Sequence, residues 1–515
     1  MSESMDENRA VTEKDRETDD LPDLYRDSHD EKSRNRWLFV AFLGLLFWAP
    51  IPLGSNRPWS LSLLESSIFL LLFLWIIQQW RSGVLLPAIF DREGPWLTLF
   101  LGWSVVPLWG MVPLHERLVS FFAPGGVELR RFANLPIEGP LVIDPYLAWN
   151  SWLGWMAWLG AFWLVLVLVN SRSRVKWVML TLFASGIFQT IFGFISLHDD
   201  GYLVLWLQEL ITREKQNFLT GTYVNRNHFA GYLEITIAVG LGLSIAWMRH
   251  VKDMGQSFQD KFQALLNELS SYRGLILGLT MLMMFGMIMS LSRGGNLALF
   301  LALALVVLLT FFRRYRSKRE RRLFIPLLII ALVGGAWFNL EKLTGRLINI
   351  QEKELARFIV YDAVQEKIKD YPLLGSGGGS FSVIFPLYRP ESIKKFYNHV
   401  HNDHLEFLSD YGIVGYVLWI SGIALLWGRI ARAFIKRQDP FVRGVLFASL
   451  VSTLALLIHG LVDFNLQIPA NIFTFYIMFG LGVVAAHLPH KEGGRSKSRR
   501  SKSKSYPSIT PSDSV

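Results

Sequence analysis

The densest chemistry in this chain lies between Asn398 and Gly415, in the stretch NHVHNDHLEFLSDYGIVG. His399, His401, Asp403, His404, Glu406 and Asp410 crowd into it, just ahead of an apolar segment, Ile413–Leu426. Imidazole titrates near neutrality, so a histidine here suits a general base. A loop histidine is most often only solvated. However, His401, His404, Leu405 and Leu408 fall at helical spacing, which predicts both imidazoles on one apolar face. Asn402 and Glu406 stand beside them as supporting polar groups.

The same letters fit the H-x-H-x-D-H pattern of metallo-β-lactamase-type hydrolases, whose residues hold two metal ions. That chemistry needs a large soluble α/β domain and further ligands downstream. Only His459 and Asp463 follow within the apolar spans, so no metal is expected, and no other cofactor. His459, Asp463 and Asn465 are read as pairing with one another.

Two further stretches carry polar groups beside apolar spans. In Leu291-Ser292-Arg293-Gly294-Gly295, an arginine stands where two spans are joined by almost nothing. Span-edge arginines often snorkel to the interface. The adjacent glycines would also let a ligand come close, and guanidinium grips phosphate oxygens as a fixed fork. In GTYVNRNHFAGY (221–232), Asn225 or Asn227 would cap a helix. Arg226 and His228 exceed what a cap requires. Glu234, slightly deeper, is an intramembrane carboxylate and so a functional candidate, with Arg226 or Arg293 as partner. The glycine-rich run Gly375–Phe381 lacks the Lys-Ser/Thr ending of a phosphate-binding loop and reads as a flexible turn.

The surrounding elements are membrane spans. Of 515 residues, 51% are hydrophobic and 18% charged, with mean hydropathy +0.30. Apolar runs near the roughly 20 residues that cross a bilayer recur along the chain. Continuous apolar runs, without the alternation of a β-barrel, give an all-α polytopic membrane protein. About twelve spans are expected: 37–54, 60–80, 95–112, 147–169, 175–196, 229–248, 274–291, 294–312, 323–339, 412–430, 442–461 and 470–487. Residues 1–36 form a polar tail, expected to be disordered and cytoplasmic, and not a signal peptide. The chain then divides into spans over 37–338, a long outer loop over 339–411, spans over 412–488 and a basic tail over 489–515. Within the loop, 339–371 reads as helical, with Leu355, Phe358, Ile359, Asp362 and Ala363 on an amphipathic, surface-lying face. There is no cysteine, which excludes disulfides and thiolate chemistry.

Orientation follows from the basic clusters. Arg172, Arg174 and Lys176, then Arg249 and Lys252, the run 313–322, Arg429–Arg437 and the tail from Lys491 all fall on one side if both termini are cytoplasmic. These clusters explain the net charge of +10 without nucleic acid. The polar stretches then share the opposite, outer side.

The order YVNRNHFAGYL, then SRGG at a span junction, then a long outer loop ending in HNDHLEFLSDYGIVG resembles the O-antigen ligase / O-antigen polymerase (Wzy-type) superfamily. The resemblance covers roughly Thr220 to Gly415, and its H-N-x-x-L-E signature falls on His401, Asn402, Leu405 and Glu406. It implies a GT-C-like fold with one long helical periplasmic loop, placed in the bacterial inner membrane. It also implies inverting, metal-independent glycosyl transfer at the periplasmic face. The donor would be a glycan on undecaprenyl diphosphate. The acceptor would be lipid A–core for a ligase, or another lipid-linked unit for a polymerase, with the ligase preferred here. By the same resemblance His401 is the catalytic base and Arg293 binds pyrophosphate, with Arg226 or Arg213 as the second arginine. Asn225, Asn227, His228, Asn402, Glu406 and His404 are supporting residues. A small-anion transporter, for example for bicarbonate, is the competing reading, motivated by Arg293, Glu234 and the many spans.

Overall fold

The computed structural model describes residues 35–82, 94–198, 217–247, 270–310 and 352–489, with 259, 263 and 267 singly. Within these the chain is all-helical, with one isolated backbone bridge, Leu114 to Gly139. The long helices are α1 (Arg36–Trp48), α2 (Pro58–Ser82), α3 (Gly94–Met111), α6 (Pro145–Leu168), α7 (Arg172–His198), α8 (Arg226–Ala246), α9 (Tyr272–Met289), α10 (Arg293–Leu309), α13 (Asp403–Lys436), α14 (Pro440–His459) and α15 (Pro469–His487). Four lie outside the bundle proper: α4 (Glu116–Phe122), α5 (Pro124–Phe132), α11 (Glu352–Asp370) and α12 (Phe381–Tyr388). Eight of the long helices are long and apolar enough to cross a bilayer, and α1 and α10 are shorter apolar helices. The expected span 323–339, the basic run 313–322 and the tails up to residue 34 and from residue 490 lie outside the described residues.

Helices α8, α14 and α15 form the centre. Of the membrane-crossing stretch, 94% is buried in α8 and α15, against 28% in α2. The three central helices can therefore be apolar all round, whereas α2 turns Leu63, Leu70, Phe73 and Ile76 outward, as lipid contact demands. Trp59 and Trp80 mark the two ends of α2 and are exposed there, where amphipathic rings favour the membrane–water boundary. Around the centre, α10 packs on α14, α6 on α15, α7 and α9 on α8, and α3 on α13. The α8–α14 crossing is backbone to backbone: a Cβ at Gly242 would lie 2.4 Å from the Gly444 carbonyl. Small residues at a crossing gain dispersion and need no hydrophobic drive, which lipid cannot supply.

The expected span at 412–430 begins earlier and ends later. Helix α13 starts at Asp403 and is broken at Gly412, with φ 64° and ψ −177°. Only glycine adopts that conformation without strain. The opened backbone is taken up by residues 372–379, where the turn expected at Gly375–Phe381 begins. Ile413 and Val414 N–H donate to the Pro372 and Leu373 carbonyls at 2.9 and 3.1 Å, and Gly377 N–H donates to the Asp410 carbonyl at 3.0 Å. The Asp410 carboxylate accepts from Gly379 N–H at 2.9 Å and from buried Lys367 at 3.3 Å. Backbone freed by a helix break must find partners in a low-dielectric setting, and this pairing ties the run to α13. Burial pushes the Lys367 ammonium down from its ordinary value, with Asp410 opposing.

Helices α11 and α12 and the following loop enclose a small core of Val360, Val364, Phe381, Phe385, Ile393 and Val400. The amphipathic reading of α11 holds in part: Phe358 is exposed, while Val360, Ala363 and Val364 are buried.

Candidate active site

The first turn of α13 fixes the histidine loop. Asn402 is the N-cap: its side chain accepts from Leu405 N–H at 3.1 Å. That cap forces the preceding residue out of the helix. His401 accordingly has φ 59°, a left-handed conformation costing a non-glycine residue about 1–2 kcal/mol. Its carbonyl accepts from the Tyr361 hydroxyl at 2.7 Å, which holds the kink. His401 and His404 therefore do not share a helical face, as their spacing had suggested. His404 meets the Tyr416 hydroxyl at 3.0 Å and the Leu457 carbonyl at 2.9 Å. Both of its nitrogens are thus engaged within the bundle.

Glu406 reaches back over the cap. One carboxylate oxygen accepts from Val400 N–H at 2.9 Å, and the other lies 2.7 Å from His399 Nδ1. Burial disfavours the charged His399 ring, but Glu406, with Asp410 and Asp463 beyond it, outweighs this and raises its pKa.

The turn between α14 and α15 supplies the centre of the site. Asp463, buried to 1% side-chain exposure, has one oxygen 3.6 Å from His401 Nδ1 and 3.8 Å from His228 Nε2. Its other oxygen accepts from the Asn227 amide. Burial alone would raise this carboxyl; the imidazoles of His228, His401 and His459 outweigh it and hold Asp463 well below the usual carboxylate range. Phe464 then seats three rings: His399 face-on at 4.4 Å, and His401 and His228 edge-on at 4.7 and 4.5 Å. A carboxylate beside Nδ1 favours the tautomer protonated there, leaving Nε2 to accept a proton. His401 keeps a quarter of its side chain exposed, so a substrate can reach it.

Helix α8 delivers its polar entrance to the same place. Asn225 caps the helix through Asn227 N–H at 2.9 Å, which leaves the Asn227 and His228 side chains free to meet Asp463. Arg226 lies with its guanidinium 4.8 Å over the Phe218 ring. Arg213 is outside the described residues. Glu234 pairs with His459 at 2.6 Å and not with either arginine. The trio read as self-paired diverges instead. His459 turns to Glu234, Asn465 accepts from Asn471 at 3.0 Å, and Asp463 faces the histidine loop.

Arg293 opens α10, with an exposed side chain. Gly294 and Gly295 after it pack against His459 and Val462, and a Cβ at Gly294 would lie 2.9 Å from Val462. A cation reaches Val462 from another helix: Arg357, on α11, donates to the Val462 carbonyl at 3.2 Å. Sequence reading passed over Arg357 because it sits in an ordinary amphipathic helix with no flanking motif. It undervalued Asp463 because sixty-odd residues separate it from His401. Within HVHNDH only His399 and His401 meet, on Phe464; His404 turns into the bundle, and Asp403 accepts from Leu466 N–H at 3.0 Å.

No curated protein matches the chain. Residues 278–420 match the family model described as O-antigen ligase. The matched stretch contains Arg293, Arg357, His399, His401 and Glu406, while Asp463 and the Asn225–His228 entrance lie outside it and are brought in by folding. The multi-pass bundle thus carries, over little more than a quarter of its length, a segment similar to the O-antigen ligase family.

Proposed function

We propose that this chain is a membrane glycosyltransferase of the ligase type. It moves a glycan from undecaprenyl diphosphate to an acceptor hydroxyl, on lipid A–core or another glycan, at the periplasmic face of the bacterial inner membrane. The observation that carries this reading is the pair His401–Asp463, with Arg293 and Arg357 bordering the same turn at Val462. His401 Nε2 takes the proton from the acceptor hydroxyl as its oxygen bonds to the anomeric carbon. The bond to the diphosphate breaks on the opposite side, inverting the centre, and its electron pair leaves on phosphate oxygen. Arg293 and Arg357 offset the charge that develops there. Asp463 stabilises the imidazolium formed during transfer.

Loss of His401 is expected to abolish transfer while the protein still inserts. The test is His401→Ala in a deletion strain, with surface and lipid-linked glycans analysed. Normal surface polysaccharide would remove the role. In the deletion strain itself, long polymer stranded on the lipid carrier identifies a ligase, and stranded single repeats identify a polymerase. Unchanged glycans with lost solute uptake would instead favour the anion transporter.

A further inference from the structure

Between α3 and α6 the chain builds a small platform whose two apolar faces have different fates. One face of α4 and α5 is spent on the protein: Val119, Ala123 and Val127 pack with Tyr371, Leu374 and Ile384, at the end of α11 and the start of α12. The other face is left open. Phe121 is 67% exposed, Phe132 is 87% exposed, and Leu118 and Leu135 beside them are also exposed. A short helix apolar on both sides does not belong in open water.

The height of this platform is fixed by α3. The Phe122 ring meets Trp109, on the last turn of α3, at 6.0 Å. The Gly110 carbonyl accepts from Leu141 and Val142 N–H at 2.8 and 3.1 Å. Arg130 ties the returning 130–140 turn through the Pro136 and Glu138 carbonyls at 3.2 and 3.1 Å, so the loop holds a fixed shape. The open face is therefore level with the last turn of α3, a helix packed along membrane-crossing α13, and continuous with half-exposed Trp109 on α3 and Val112 just past it.

We propose that this face is an interfacial seat. Leu118, Phe121, Phe132 and Leu135 rest in the headgroup–acyl boundary of the bilayer, and through Tyr371 they set the height of α11, which carries Arg357. The occupant is lipid, because the face continues the exposed apolar side of α3, Val105 and Trp109, and α3 packs along the membrane-crossing α13.

The absence of cysteine makes the test direct. Single variants Phe121→Cys, Phe132→Cys and, as a water-facing control on exposed Glu138, Glu138→Cys would carry an environment-sensitive fluorophore in the full chain, reconstituted in lipid vesicles. The expected result is blue-shifted emission at 121 and 132, several-fold stronger quenching by nitroxide lipids than at 138, and loss of iodide quenching. Iodide access equal to that at 138 would overturn the proposal in favour of open water. Protection from both quenchers would overturn it in favour of a protein surface, a second copy included. Should a phenylalanine variant fail to insert, Leu135→Cys reads the same face.

Discussion

Replacing Asp463 with asparagine keeps its shape and removes its charge. In the folded chain the Asp463 carboxylate lies 3.6 Å from His401 Nδ1. At an effective dielectric of about 20, Coulomb's law gives such a charge pair about 4–5 kcal/mol. His401 keeps 25% of its side chain exposed, so solvent screening reduces the useful part to about 2–3 kcal/mol. Under the proposed mechanism the carboxylate acts on the imidazolium formed as the proton is transferred. The loss should therefore fall on kcat, by roughly a hundredfold, with little change in donor KM. The assay is transfer of a lipid-diphosphate-linked glycan to acceptor in proteoliposomes, alongside a melting curve to verify folding. Because Asp463 works through His401, the double variant with His401→Ala should be no slower than His401→Ala alone. Full activity in Asp463→Asn, or additive losses in the double variant, would refute the reasoning.

Arg357→Lys keeps the charge but loses the planar fork, and should raise donor KM about tenfold; titration of donor in the same assay measures this. Arg226→Ala, whose guanidinium covers Phe218, should shift donor KM by no more than about twofold. Gly412→Ala forces a side chain onto φ 64° and places its Cβ 2.3 Å from the Leu373 backbone. The expected cost is about 2 kcal/mol or more, read as a lower melting temperature in detergent; an unchanged melting temperature would contradict the break described above. The His399–Glu406 tie is pH-dependent. With its folded pKa raised above 6.5, His399 contributes its full stability below pH 6.5, and this is lost as pH rises through the raised value. The melting gap between the native chain and His399→Gln should accordingly narrow on raising pH, and a gap that widens would reverse the sign argued here.

Sequence alone was enough for the class of fold, since apolar runs of bilayer length admit no other solution in lipid. It also singled out the two motifs on which the proposal rests, because Ser292–Gly295 and His401–Glu406 are local patterns with local physical meaning. It failed where the answer depended on contacts far apart in the chain. Asp463 and Arg357 have no distinctive neighbours, and only the packing of α11 and of the α14–α15 turn against α13 brings them to His401 and Val462. The conformation of His401 was likewise undecided by spacing. An asparagine cap and a tyrosine on another helix settle it, because a backbone carbonyl and an unpaired N–H take whichever partners the tertiary structure supplies.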